Sequence, residues 1–197
     1  MIKLIKSLLS LFCKKEKSQI KEKTTYKSNL PPIELYELNR HNFKYTEFYY
    51  SKTAKEMGID NTPIDQGVLL NLMKLADNMQ TLHSFIQDKY TNDKVIIDIT
   101  SGYRNPTLNK IVGGSPTSVH MEGKAVDFIV RINEKPLALE DVAKYIIEVG
   151  IAFDQILIEY EKGIVHMGLA DNDKEARQQV KTAWLDKGEW KTKTIKL

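Results

Sequence analysis

Cysteine is nearly missing from this 197-residue chain: the single one, Cys13, excludes an internal disulfide framework and any thiolate-rich zinc site. A metal bound here has to be held by histidines and carboxylates. No apolar run approaches the ~20 residues needed to span a bilayer. Proline is scarce, six in all, and there is no glycine-rich phosphate loop and no internal repeat. Excess basic charge is absent from most of the chain as well. The formal net charge is +3, yet residues 1–29 hold eight lysines against two glutamates, a net +6 that leaves −3 for the rest. The basic character therefore belongs to the N-terminal tail, and the body offers no general footprint for nucleic acid. With 42% hydrophobic residues the chain can bury one core, so one domain plus an appendage is expected.

In residues 1–13, Ile2, Ile5, Leu9 and Phe12 recur at helical spacing beside Leu4, Leu8 and Leu11, with Lys3, Lys6, Ser7 and Ser10 roughly opposite. This predicts an amphipathic N-terminal helix. It reads either as a short signal-peptide core or as a helix in the membrane interface making peripheral contact, against a frayed end or a helix docked on its own domain. Lys6 interrupts the apolar core and Phe12-Cys13 is too bulky for a small-x-small cleavage site. Residues 14–32 are charged and unpatterned up to Pro31-Pro32 and are expected to be a linker, so that the domain covers 33–197.

Within the body, Gly58 to Pro63 signals a turn, and Leu69, Leu72, Leu75, Met79, Leu82 and Ile86 mark a long amphipathic helix starting after Asp65. His83 adjoins that stripe and reads as a helix-surface histidine. Val95 to Thr100 is a β-branched strand ending in the turn Ser101-Gly102-Tyr103-Arg104-Asn105-Pro106. A second strand starts at Lys124, a second helix runs from about Leu139 to Val149, and QILIEY and IVHMGL form an antiparallel hairpin around Glu161-Lys162-Gly163. The residues from Asn172 onward are expected to be helical at first, then irregular.

The densest cluster of unusual choices is Ser115 to Asp127, where His120 precedes a tight turn at Gly123 and a strand brings back Asp127. His166, on the second hairpin strand, offers a third ligand. Three nitrogen or oxygen ligands with an open fourth position describe a catalytic zinc site rather than a structural one.

Here the sequence resembles the D-Ala-D-Ala carboxypeptidase-like zinc peptidases, which share a metal-binding fold with the Hedgehog signalling domain, including their small phage and bacterial members. The resemblance rests on Ser101-Gly102-Tyr103-Arg104, Asn109, Val112-Gly113-Gly114-Ser115, Ser118-x-His120-x-x-Gly123-x-Ala125-x-Asp127, Phe153-Asp154-Gln155 and Val165-His166. Upstream, Ser51, Ala54, Gly58 to Asn61, Pro63 and Asn71-Leu72 add to it, so that it spans roughly residues 43 to 183. It implies one Zn2+ on His120, Asp127 and His166, which acidifies water and polarises the scissile carbonyl. It also asks for a general base and for a cation facing the oxyanion or a substrate carboxylate. Arg104 is the natural cation, since its turn presents a guanidinium fork. Ser118 is expected to bond substrate or steady the His120 loop, and Tyr103 and Gln155 to line the cleft.

The base departs from the family's usual pattern. Many members place Glu or Asp three residues before the last histidine, where this chain has Gly163, and the tryptophan that often precedes Val-His is here Ile164. A two-residue loop at Lys162-Gly163 would pair Glu161 with Ile164 and set Glu159 directly opposite His166, making Glu159 the expected base and Glu161 a diagonal neighbour. A three-residue loop would turn Glu159 away, and both carboxylates also read as plain solvated hairpin residues.

The expectation is an α+β domain, a small antiparallel sheet flanked by helices with the Hedgehog/DD-peptidase-like fold, cleaving peptidoglycan stem peptides as a carboxypeptidase or an endopeptidase. Its place would be the cell envelope, periplasmic or membrane-proximal, or a phage-delivered enzyme. The competing expectations are a non-catalytic zinc-containing wall-binding module and a membrane-associated accessory protein.

Overall fold

The computed structural model describes residues 40–63, 65–171 and 176–197. The expected helix 1–13, the linker 14–32 and the domain start at 33 lie outside the described residues. No helix among the described residues is long and apolar enough to cross a membrane.

A 3-10 turn at Tyr45–Phe48 is followed by α1 (Lys52–Met57), whose first turn is capped by Ser51 accepting from the Ala54 amide. The predicted long helix is α2 (Gln66–Lys89), with Asp65 as N-cap accepting from the Val68 amide at 3.1 Å. All six stripe residues, Leu69 to Ile86, are buried on one side of it. Each contributes roughly 1.5–3 kcal/mol of apolar burial, which outweighs the weak propensity of a helix that also carries Asn71, Asn78 and Thr81. His83, expected on the helix surface, is instead part-buried and bonds the Val95 carbonyl (3.2 Å) and Asn42 (2.9 Å).

The sheet has seven strands: β1 (Val95–Ser101), β2 (Ala125–Ile132), the two-residue β3 (Lys135–Pro136), β4 (Gln155–Glu159), β5 (Ile164–Gly168), β6 (Gln179–Asp186) and β7 (Glu189–Thr194). They lie in the order β1-β2-β5-β4-β6-β7, with β3 beside β2. Every pairing is antiparallel except β4 with β6. The sheet is thus larger than the small one expected, and not wholly antiparallel. Just before β6, Arg177 is tied to the start of β4, its Nε reaching the Asp154 carboxylate at 2.9 and 3.0 Å.

The alternation of side chains divides the sheet into two faces. Ile97, Val126, Phe128, Val130, Ile156, Ile158, Val165, Met167 and Val180 all belong to the buried core. They pack with α2 and with α4 (Leu139–Glu148), the second expected helix, through its Val142, Ala143 and Ile146. The other face carries Asp127, His166, Leu157, Glu159 and Ala183 across β2, β5, β4 and β6.

Three expectations need correction. Residues beyond 176 are not helical or irregular: β6 and β7 form a hairpin, because Val180 and Ala183 find burial beside β4 that local sequence does not reveal. Asn105-Pro106 does more than turn the chain. Asn105 accepts from the Leu108 amide at 2.7 Å and Pro106 opens α3 (Pro106–Ile111), an N-cap and N1 pair readable from sequence. Finally, β4 and β5 are joined by four residues, Tyr160 to Gly163, not two, so that Glu159 pairs with Ile164 and Leu157 faces His166.

Candidate metal centre

His120 is placed by two glycines. It lies in a 3-10 turn (Val119–Glu122) ended by Gly123 at φ +68, in the left-handed region, where an added Cβ would stand 2.9 Å from the Val68 carbonyl oxygen on α2. Asn71 of α2 donates to the Glu122 carbonyl (2.9 Å) and holds the turn down. At Gly102, a Cβ would sit 2.1 Å from the Phe48 carbonyl oxygen, so only glycine lets this strand end approach so closely. The Gly102 carbonyl in turn lies 2.7 Å from His120 Nδ1. A carbonyl can only accept, so Nδ1 carries the hydrogen and the neutral ring presents the lone pair of Nε2. Burial holds the His120 ring below its ordinary pKa, against the pull of Asp127, which keeps that lone pair available.

Asp127 and His166 face each other directly across β2 and β5. A break in the register of β1 between Ile99 and Ser101 brings Ser101 opposite Asp127 and the Gly102 to Arg104 turn beside it. Thr100 stabilises the break by donating to the Asp127 carbonyl at 3.0 Å.

The three side chains converge: His120 Nε2 to His166 Nδ1 is 3.3 Å, His120 Nε2 to Asp127 Oδ1 is 3.3 Å, and His166 Nδ1 to Asp127 Oδ1 is 2.7 Å. They form a group able to hold a metal ion. A tetrahedral ion with bonds of about 2.0–2.1 Å keeps its ligands roughly 3.3–3.4 Å apart, and two of the separations here match. The third is a hydrogen-bond distance. Two imidazoles and one carboxylate also suit zinc chemically, and Cys13 lies outside the described residues. Burial pushes the Asp127 carboxyl up, but the two imidazoles more than reverse this and hold it well below the usual carboxylate range.

Glu159 shares the sheet face of His166. Its pairing with Ile164 puts it one diagonal step from His166 rather than directly opposite, because lengthening the expected loop by two residues preserves the face while moving the position. It is buried, 7% exposed, which removes the solvated-hairpin reading for this residue. Glu161, by contrast, lies in the exposed turn and accepts from the Leu185 amide at 3.0 Å.

Arg104 is within electrostatic reach of both carboxylates. Burial depresses its pKa while Asp127 and Glu159 pull it up, and its Nε is buried without a hydrogen-bond partner. Its amide donates to the His120 carbonyl at 3.1 Å.

The remaining sequence-predicted residues divide. Ser118 is the N-cap of the His120 turn, yet its hydroxyl caps no amide. Tyr103 is half-buried against the core, which raises its phenol pKa by desolvation, so packing is a large part of its role. Gln155 pairs with Gly168 and Gln179 at the start of β4, on the His166 face and one diagonal step away.

Sequence reasoning gave no role to two supports, one of them a residue that carried the resemblance. Asn61, 6% exposed, donates to the Tyr49 (2.7 Å) and Tyr103 (2.9 Å) carbonyls and accepts from the Asn105 amide (2.8 Å), so one amide clamps the arginine-bearing turn. The other is Lys162, whose Nζ lies 2.6 Å from Glu159 Oε2. Its signal, an i to i+3 spacing across the turn, means nothing until the loop length is known.

Comparison with curated proteins gives no match. Comparison with family models matches peptidase M15 over residues 41–167, a segment that begins before α1, takes in α2 and contains all three converging side chains and Glu159, while β6 and β7 lie beyond it. Since this segment is well over half of the 197 residues, the chain belongs to the peptidase M15 family, whose members are zinc-dependent metallopeptidases.

Proposed function

We propose that the protein hydrolyses the peptide stems of bacterial peptidoglycan with one zinc held by His120, Asp127 and His166, in a domain of the Hedgehog/D-Ala-D-Ala peptidase type. The observation that carries this is the convergence of those three donors beside a buried carboxylate, Glu159, and a half-buried cation, Arg104, on the sheet face turned away from α2 and α4. When bound, zinc supplies Lewis acidity and acidifies water. Glu159 takes the proton from the attacking water on a carboxylate oxygen and delivers it to the departing amine nitrogen. The orphaned Nε of Arg104 and the rest of its guanidinium bind the substrate carbonyl or a terminal carboxylate, a partner the fork matches in geometry and charge. Ser118 and Gln155 flank the approach, and Tyr103 walls it.

Gly163, where many relatives carry a carboxylate, supports the second reading, a zinc-containing module that binds wall without cutting it. One experiment separates the two: zinc-loaded full-length protein is incubated with purified peptidoglycan and pentapeptide muropeptides, and the products are weighed by mass spectrometry. Loss of a terminal alanine identifies a carboxypeptidase, and cleavage inside the stem or bridge an endopeptidase. Stoichiometric zinc with unaltered muropeptides would leave only the binding module.

The location we propose is the cell envelope, close to a membrane. It is supported by the +6 charge of residues 1–29 and the amphipathic pattern of residues 1–13. Each lysine near an anionic leaflet adds up to ~1 kcal/mol. Full-length protein is therefore expected to co-sediment with anionic liposomes, less so at high salt, while a chain beginning at Asn29 stays in the supernatant with its activity intact. Equal sedimentation of both would remove the tail from this reading, and an N-terminus cleaved on export would replace it with a signal peptide.

A further inference from the structure

Glu159 lies buried at the end of β4, and its carboxylate is engaged by Lys162 from the following turn, 2.6 Å from Oε2. Lys162 is half-exposed, and a lysine in such a turn ordinarily samples many rotamers, which makes it a poor device for holding anything. Here the same ammonium also sits over the ring of Trp190, 4.9 Å from its centroid. Trp190 comes from β7, opposite Leu185 of β6. It lies on the sheet face of Glu159, because Glu159 pairs with Ala183, Ala183 with Thr192, and Trp190 is two residues from Thr192.

We propose that Lys162 is a positioning residue for Glu159, and that Trp190, from a hairpin beyond the family-matched segment, holds Lys162 in place to do so. This rests on the reading of Glu159 as proton acceptor. A carboxylate that collects a proton works best with one oxygen tied down and the other aimed at the reaction, and the ion pair ties down Oε2. The other charges around Glu159 are Arg104, from the turn after β1, and Lys181 of β6, one diagonal step away, whose charge acts on Asp154; Glu161 is turned to the Leu185 amide, and the residue across β5, Ile164, is apolar. Lys162 is therefore the cation free to be removed without touching the substrate-binding group.

In the zinc-loaded full-length protein, Lys162→Met is expected to lower kcat roughly three- to fivefold, the scale of a part-exposed ion pair, with KM unchanged. Lys162→Arg should restore kcat. Trp190→Ala should act in the same direction and add nothing to Lys162→Met in the double variant. A readout independent of activity is the indole N–H resonance of Trp190, which should move in both Lys162→Met and Glu159→Gln, while that of Trp184, on the opposite face of β6, stays in place. Unchanged kcat in Lys162→Met, or a Trp190 resonance indifferent to Glu159→Gln, would overturn the proposal. If zinc-loaded wild-type protein cuts no wall peptide while Trp190 still responds to both substitutions, the peptidase reading fails and the coupling of these three residues stands.

Discussion

Glu159→Gln is expected to keep its fold and its zinc and to lose ~10²–10⁴ in kcat for muropeptide hydrolysis, the usual cost of removing a general base. The substitution changes one atom of a buried side chain and leaves its volume intact, so packing against the sheet is preserved. A glutamine oxygen can still accept from Lys162, yet an amide cannot take up a proton near neutral pH. Binding of substrate through Arg104 should persist, so the loss falls on kcat rather than KM. Glu161→Gln is the matched control, two residues along and equal in size and charge but facing β6, where a glutamine oxygen can replace the bond to the Leu185 amide. Near wild-type activity is expected from it. If Glu161→Gln were inactive and Glu159→Gln active, the base would be the turn residue and the face assignment of β4 would be functionally irrelevant.

The second large effect is on the metal. Zinc binding to the wild-type protein stabilises the fold by mass action, about 4 kcal/mol when free zinc is a thousand times its Kd. For a domain of this size that corresponds to a rise in Tm of roughly 8–16 °C. His120→Ala should show no such rise and should lose stoichiometric zinc, because it deletes the donor whose lone pair is aimed by the Gly102 carbonyl. His120 is buried, so its loss also leaves a cavity and an unpaired carbonyl, and the apo-protein itself should be less stable. His166→Ala, at a half-buried ligand, separates the two effects: its apo-stability should fall less, while its zinc-dependent rise in Tm should vanish equally. A folded His120→Ala protein that retains one zinc by metal analysis would show that the ion sits elsewhere.

Much of this architecture is legible in residue order alone. The spacing from Leu69 to Ile86 specifies α2, because a 3.6-residue period has no other use than one buried helical face. The β-branched run at 95–100 and the Gly150 stop of α4 are equally local signals. His120 and Asp127 are also locally coupled, seven residues apart and bent by a glycine at φ +68, although Asn71 and the Gly102 carbonyl complete the placement of His120.

Tertiary structure decided the rest. Whether Glu159 faces the site depends on loop parity, and parity is a property of the closed hairpin; two-residue and four-residue loops both keep the carboxylate on the His166 face, but only the sheet selects between opposite and diagonal. Lys162 and Trp190 are 28 positions apart and come together only because β6 docks parallel to β4 and carries β7 with it. The strands β6 and β7 themselves read as irregular in isolation, rich in lysine and poor in alternation, since what makes them strands is an edge of β4 offering unpaired amides and carbonyls. Residue order thus determined the candidate ligands and the local turn that carries His120, while the meeting of Asp127 with His166 and the surroundings of Glu159 were decided by long-range pairing, whose free energy no short window of sequence contains.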